Sequence, residues 1–154
     1  MSAEKRPTLL AVDLGLRSGL ALFDDRGRLL RYRSTNFGTR RRLKKAVYAL
    51  IRDAGPPAYL VVEGSRQLGA VWEKAAQKQG VKVIDVAPET WRGELLEPRR
   101  RRTGADAKAA ADEVAREVID AAGGEAPTSL RHDAAEAILI GWWGLRYVGW
   151  MRAD

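Results

Sequence analysis

The chain has 154 residues, 27 Lys+Arg against 20 Asp+Glu, and a formal net charge of +7; at about 150 residues per domain, residues 1–154 read as one domain with a real core. It has no cysteine and one histidine, which excludes disulfides, thiol catalysis, cysteine-held zinc and multi-histidine metal sites. The longest uncharged apolar run, Ala137–Leu145, is well short of the ~18 residues that a bilayer requires, and the run Leu9–Val12 behind Lys5 and Arg6 is cut by Asp13, so neither a membrane span nor a signal peptide is read and a cytoplasmic protein is expected.

Thr8–Leu14 (TLLAVDL) is a short apolar run stopped by Gly15, the pattern of a buried strand. Gly19–Phe23 predicts a second strand, Asp24-Asp25-Arg26-Gly27 a hairpin turn, and Arg28–Ser34 a third strand, giving an antiparallel meander. Thr39 is placed to cap a helix over Arg40–Ala54, with Leu43, Val47, Leu50, Ile51 and Ala54 on one face. Ala58–Glu63 (AYLVVE) is continuously apolar, as expected of a strand covered on both sides. A helix over Gln67–Gln79 with Gly80 behind it, a strand over Val81–Val86 and a short helix over Pro88–Leu95 follow. A basic loop spans Glu97–Thr103, and a helix Asp106–Ala122 is stopped by Gly123-Gly124. A last helix is expected from a Ser129 cap to about Arg146. A meander followed by β-α-β units predicts one mixed sheet with helices on both faces. If Thr8–Leu14 and Ala58–Glu63 are parallel central neighbours, their carboxyl ends lie side by side, where such sheets bind ligands.

Charge is uneven. Nine Lys/Arg and no acid fall between Arg26 and Lys45, and a second cluster spans Arg99–Arg102. Such runs attract polyanions, nucleic acid above all; a plain arginine-rich surface is the alternative.

Four acids occupy apolar surroundings. Asp13 interrupts LLAV-D-LG, Glu63 ends YLVV-E-GS, and Asp133 and Glu136 interrupt HDAAEAILIGWW. A carboxylate at the edge of a core is costly unless it is paired or binds a cation. Asp133 and Glu136 are i, i+3 neighbours on one helix face. If that helix crosses the strand ends, all four converge, and a divalent ion such as Mg²⁺ or Mn²⁺ is the natural counter-charge. This expectation fails if one of them lies well away from the others or is tied up permanently with an arginine. Gly141 and Gly144 inside the same helix each cost about 1 kcal/mol relative to alanine, which close approach to a neighbour would offset.

The segment Asp13-Leu14-Gly15-Leu16-Arg17-Ser18-Gly19 resembles the D-x-G-x-R-[ST]-[TG] turn of RuvC-type Holliday-junction resolvases, members of the RNase H-like superfamily that includes the chloroplast resolvases of plants. Leu60–Glu63 is similar to the strand that delivers the family's catalytic Glu, and His132-Asp133-Ala134-Ala135-Glu136-Ala137 to its carboxyl-terminal acidic helix. Pro88–Arg92 resembles the segment before the family's basic loop. The resemblance implies an RNase H-like five-stranded mixed sheet, a three-stranded antiparallel meander plus two parallel strands. It implies a homodimeric endonuclease resolving four-way DNA by paired nicks that leave 5′-phosphates. Asp13 would bridge two Mg²⁺ ions (Mn²⁺ as substitute), Glu63 would hold one, and Asp133 and Glu136 the other, with His132 as an alternative ligand. Arg17, Ser65, Arg66, Gln67, Arg92, Arg99, Arg100, Arg101, Arg102 and Lys108 would contact DNA. The family's junction-probing segment corresponds to Gly64–Gly69, which here has no aromatic residue. The alternatives are a YqgF-type rRNA-maturation nuclease, against which Glu63 argues, and a non-catalytic nucleic-acid-binding module of the same fold.

Overall fold

The computed structural model describes residues 6–97 and 103–152; Arg99–Arg102 lie outside the described residues. The elements run β1 (Thr8–Asp13), β2 (Arg17–Asp24), β3 (Leu29–Asn36), α1 (Arg40–Asp53), β4 (Tyr59–Glu63), α2 (Arg66–Lys78), β5 (Lys82–Asp85), α3 (Pro88–Leu95), α4 (Gly104–Ala121) and α5 (His132–Tyr147). The sheet order is β3-β2-β1-β4-β5. The first three strands are antiparallel, and β1, β4 and β5 run parallel. The predicted sheet therefore forms, with helices on both sides.

Alternation along the central strands assigns the layers. On β1, Leu9 and Ala11 face the core shared with α3, α4 and α5, while Leu10 and Val12 face the core shared with α1 and α2. On β4, Val61 takes the first side and Leu60 and Val62 the second. The two-residue period carries Asp13 and Glu63 onto the α5 side, and the register pairs Asp13 directly with Glu63. A bond from the Leu14 N–H to the Glu63 carbonyl (2.9 Å) extends the ladder past both acids. The tryptophans mostly serve the core: Trp72, Trp91 and Trp143 are all buried.

Helix α5 lies close against the sheet because small residues let it. A Cβ on Gly141 would fall 2.4 Å from Phe23 Cε2, and one on Gly144 would fall 3.0 Å from Val61 Cγ2. On the sheet side, a Cβ on Gly19 would fall 1.8 Å from the Asp133 carbonyl oxygen. Substitution here must push the helix off the strands. Gly141→Ala is expected to lower stability by about 1–3 kcal/mol, despite alanine's better helix propensity; urea unfolding of the two proteins side by side measures this.

Several element ends fall one or two residues from expectation, and one of them bears on the site. Helix α5 starts at His132 rather than after Ser129, and its N-cap, Arg131, makes no side-chain cap bond. Asp133 supplies the missing acceptor from inside the first turn, taking the Ala134 N–H on Oδ1 at 2.9 Å. An acid here also complements the positive end of the helix.

Candidate metal centre

Three of the predicted acids come together. Asp13 ends β1, Glu63 ends β4, and Glu136 reaches them from the second turn of α5. Each offers a carboxylate oxygen within 4.8 Å of the other two. Glu63 and Glu136 are buried, at 7 % and 6 % exposure. Burial, then the charges of Glu136, Glu63 and Asp133, push the Asp13 carboxyl up to about 8. Glu63 is raised by burial and by Glu136, against the lowering effects of Arg92 and of its hydrogen bond with Asp13. Without a cation, burial and the neighbouring acids favour the protonated form of Asp13, hydrogen-bonded to Glu63. This is the behaviour of carboxylates too close together to ionise jointly.

Asp133 stands beside this trio rather than within it. Its Oδ2 accepts from Ser34 Oγ at 2.8 Å while Oδ1 holds the helix N–H, yet its charge is felt at Asp13. Ser34 had no sequence signal of its own. It reaches the site because β3 pairs it with Gly19, beneath the first turn of α5.

Two basic side chains already sit on Glu136. Arg92, from α3, donates to Oε1 at 2.8 Å, and His132 Nε2 lies 3.0 Å from the same oxygen. The arginine contact departs from expectation, which had Arg92 on a DNA phosphate and the acids unpaired. The guanidinium stays partly exposed, with the side chain at 36 %, and lies 5.1 Å from the centroid of the buried Trp91 ring. Trp91 thus anchors α3 and aims its neighbour at the acids. His132, considered as an alternative ligand, is instead turned onto Glu136.

The other predicted DNA contacts surround this end of the sheet or lie beyond it. Arg17 is exposed at the start of β2, next to the β1–β2 turn. Ser65 caps α2, accepting from the Leu68 N–H at 3.4 Å, and Arg66 and Gln67 form the exposed first turn of that helix. Lys108 is exposed near the start of α4. No helix among the described residues is long and apolar enough to cross a membrane.

The oxygen-only donor set suits a hard divalent cation. Asp13 is raised first by burial and then by its acidic neighbours, and a bound cation would offset both costs.

No family profile matches the chain, and no curated protein matches it in sequence. Solved structures do match it in shape. Thermus thermophilus RuvC in complex with a Holliday junction substrate superposes with a TM-score of 0.66 at 17% identity, over 92% of this chain and 95% of that one. The fold is that of the RuvC resolvases. The yeast mitochondrial Holliday junction resolvase Ydc2 gives a TM-score of 0.61 at 10% identity, over 92% of this chain and 80% of that one. The large terminase nuclease of thermophilic phage G20c with bound zinc gives 0.52 at 14% identity, over 92% and 82%. The structural neighbours thus include Holliday junction resolvases and a phage large terminase nuclease, all similar to this chain in the RNase H-like arrangement of sheet and helices.

Proposed function

We propose that this chain is a single-domain, divalent-metal-dependent endonuclease that acts as a homodimer and resolves four-way DNA junctions by paired symmetric nicks. The observation that carries this is the convergence of Asp13, Glu63 and Glu136 within 4.8 Å, on a fold shared with nucleases, in a protein of net charge +7.

In this proposal Asp13, Glu63 and Glu136 hold Mg²⁺, or Mn²⁺ in its place, with Asp133 completing the set for a second ion. The ions would supply a nucleophilic water at neutral pH and stabilise the departing 3′ oxygen. The chain's own residues do the rest. Asp13 would hold a cation in its deprotonated form, its proton passing to solvent. Glu63 and Glu136, fixed on a strand end and a packed helix, need little reorganisation, which is what a preorganised site requires. Ser34 and the helix N–H hold the Asp133 carboxylate in one orientation. Arg17, Arg66, Gln67 and Lys108, exposed at the surface, would take phosphates and set the register of the strand. Hydrolysis breaks the bond between phosphorus and the 3′ oxygen, leaving a 5′-phosphate and a 3′-hydroxyl.

Labelled four-way, Y-shaped and linear DNA, and a structured RNA, incubated with and without Mg²⁺, test the proposal. Paired nicks across the four-way junction, dependent on the ion, are expected. Preference for RNA would move the assignment to an rRNA-maturation nuclease. Absence of cutting on every substrate with both Mg²⁺ and Mn²⁺ would overturn it in favour of a binding module.

A further inference from the structure

The catalytic reading leaves the acid-free stretch of the sequence unexplained. Its carboxyl-terminal part begins α1, on the side of the sheet away from α5. Helices α1 and α2 both start at the end of the sheet that carries the acids: α2 follows Glu63 directly, and α1 follows β3, whose last residue, Asn36, pairs with Arg17. Gln79, the C-cap of α2, donates from Nε2 to the carbonyl of Tyr48 in the second half of α1 at 2.9 Å, tying the helices together. Between them lies an open groove of about 390 Å³.

Four cations line it. Arg40 and Lys44 stand four residues apart on α1, and Lys74 and Lys78 four apart on α2. All four are exposed, and no acid lines the groove. None of the four has an ion-pair or hydrogen-bond partner among the described residues, although other exposed basic side chains here, such as Arg116 with Asp112, do pair. The acid nearest in sequence, Glu73, lines a different pocket and accepts from Gln77. Like charges four apart on a helix oppose its formation, and two such pairs facing one groove add to that. The floor is short, made of Ala70, Val71 and Ala75, which leaves room for a backbone to settle between the rows. Tyr48, 46% exposed, closes the end. From Arg40 to Tyr48 the groove runs about 12 Å, the span of two or three consecutive phosphates.

We infer that the α1–α2 groove holds the sugar-phosphate backbone of a duplex DNA arm, at a surface separate from the acids. A second copy presenting the same face would bring four more cations, so charge disfavours a self-interface here. The polyanion is named as DNA because of the nuclease proposal, on which the inference rests to that extent.

The test is binding in EDTA, without cutting, of a 30-bp duplex and a four-way junction across a salt series. Lys44→Gln and Lys74→Gln are each expected to lower the slope of log affinity against log salt by about 1, and together to weaken binding about 10-fold or more near 0.1 M salt. Lys82→Gln, an exposed lysine on β5 outside the groove, is the control and is expected to change the slope little. Variants that bind like wild type, or that lose affinity no more than the Lys82 control, would overturn the inference. So would a change in mass by light scattering with DNA affinity intact, which would make the groove a copy-to-copy interface. Groove variants that lose duplex affinity in a protein that cuts nothing would leave the groove standing while the nuclease falls.

Discussion

Asp13→Asn is expected to lower Mg²⁺-dependent cutting by at least about 10²–10³-fold, the scale of losing one group that stabilises charge in a transition state, with DNA binding intact. The same substitution is expected to weaken a pH effect. In the metal-free protein Asp13 is raised from an ordinary 3.8 to about 8, so the folded chain binds a proton that the unfolded chain gives up. The stabilisation this confers is whole below about 3.8 and is lost as pH climbs through about 8. Melting temperature in EDTA should therefore fall across that interval for wild type and fall less for Asp13→Asn. Near pH 8 the variant should be the more stable of the two, since asparagine stays neutral against Glu63 and Glu136. Added Mn²⁺ should raise the melting temperature of wild type and hardly move the variant. Cutting by Asp13→Asn at the wild-type rate would contradict its place in the centre.

The second large effect concerns Arg92. Its guanidinium and a divalent ion compete for one carboxylate, because Arg92 already occupies Glu136 Oε1. Arg92→Ala leaves a buried acid with only His132 beside it. The metal-free protein should lose about 1–3 kcal/mol, less than a fully buried pair would, since the arginine is partly exposed and one partner remains. The same change removes the competitor, so Mn²⁺ affinity should rise about 10-fold and saturating metal should close the gap in stability. Calorimetric titration at constant pH reads the affinity, and urea unfolding with and without Mn²⁺ reads the stability. Unchanged or weaker Mn²⁺ binding by Arg92→Ala would show that the guanidinium does not contest the ion's position. A cation on Glu136 would release the arginine, and only then would Arg92 be available to a phosphate.

Much of this was legible in residue order because short-range patterns decide it. The apolar runs of β1 and β4 and the turn at Asp24–Gly27 required no knowledge of the fold. The odd placement of Asp13 and Glu63 also showed, since the two-residue period that buries Leu9 and Val61 must carry the acids to the same side. Gly141 and Gly144 signalled close packing, and Phe23 and Val61 supply the contact. What stayed hidden depends on long-range register. Ser34 meets Asp133 only because β3 sets it against Gly19. Arg92 meets Glu136 across 44 residues through the way Trp91 seats α3, and no local pattern encodes that. The start of α5 was misplaced because Ser129 is a good capping residue by type, whereas Asp133 serves the first turn from within.

The most direct test is anomalous diffraction from crystals soaked in Mn²⁺. The structure leads us to expect a peak bounded by the Asp13, Glu63 and Glu136 carboxylates, with Arg92 withdrawn from Glu136 and, if two ions bind, a second peak about 3.5–4 Å away toward Asp133. Density showing no ion between those three acids at saturating Mn²⁺, with Arg92 still seated on Glu136, would contradict a metal-dependent function for this centre.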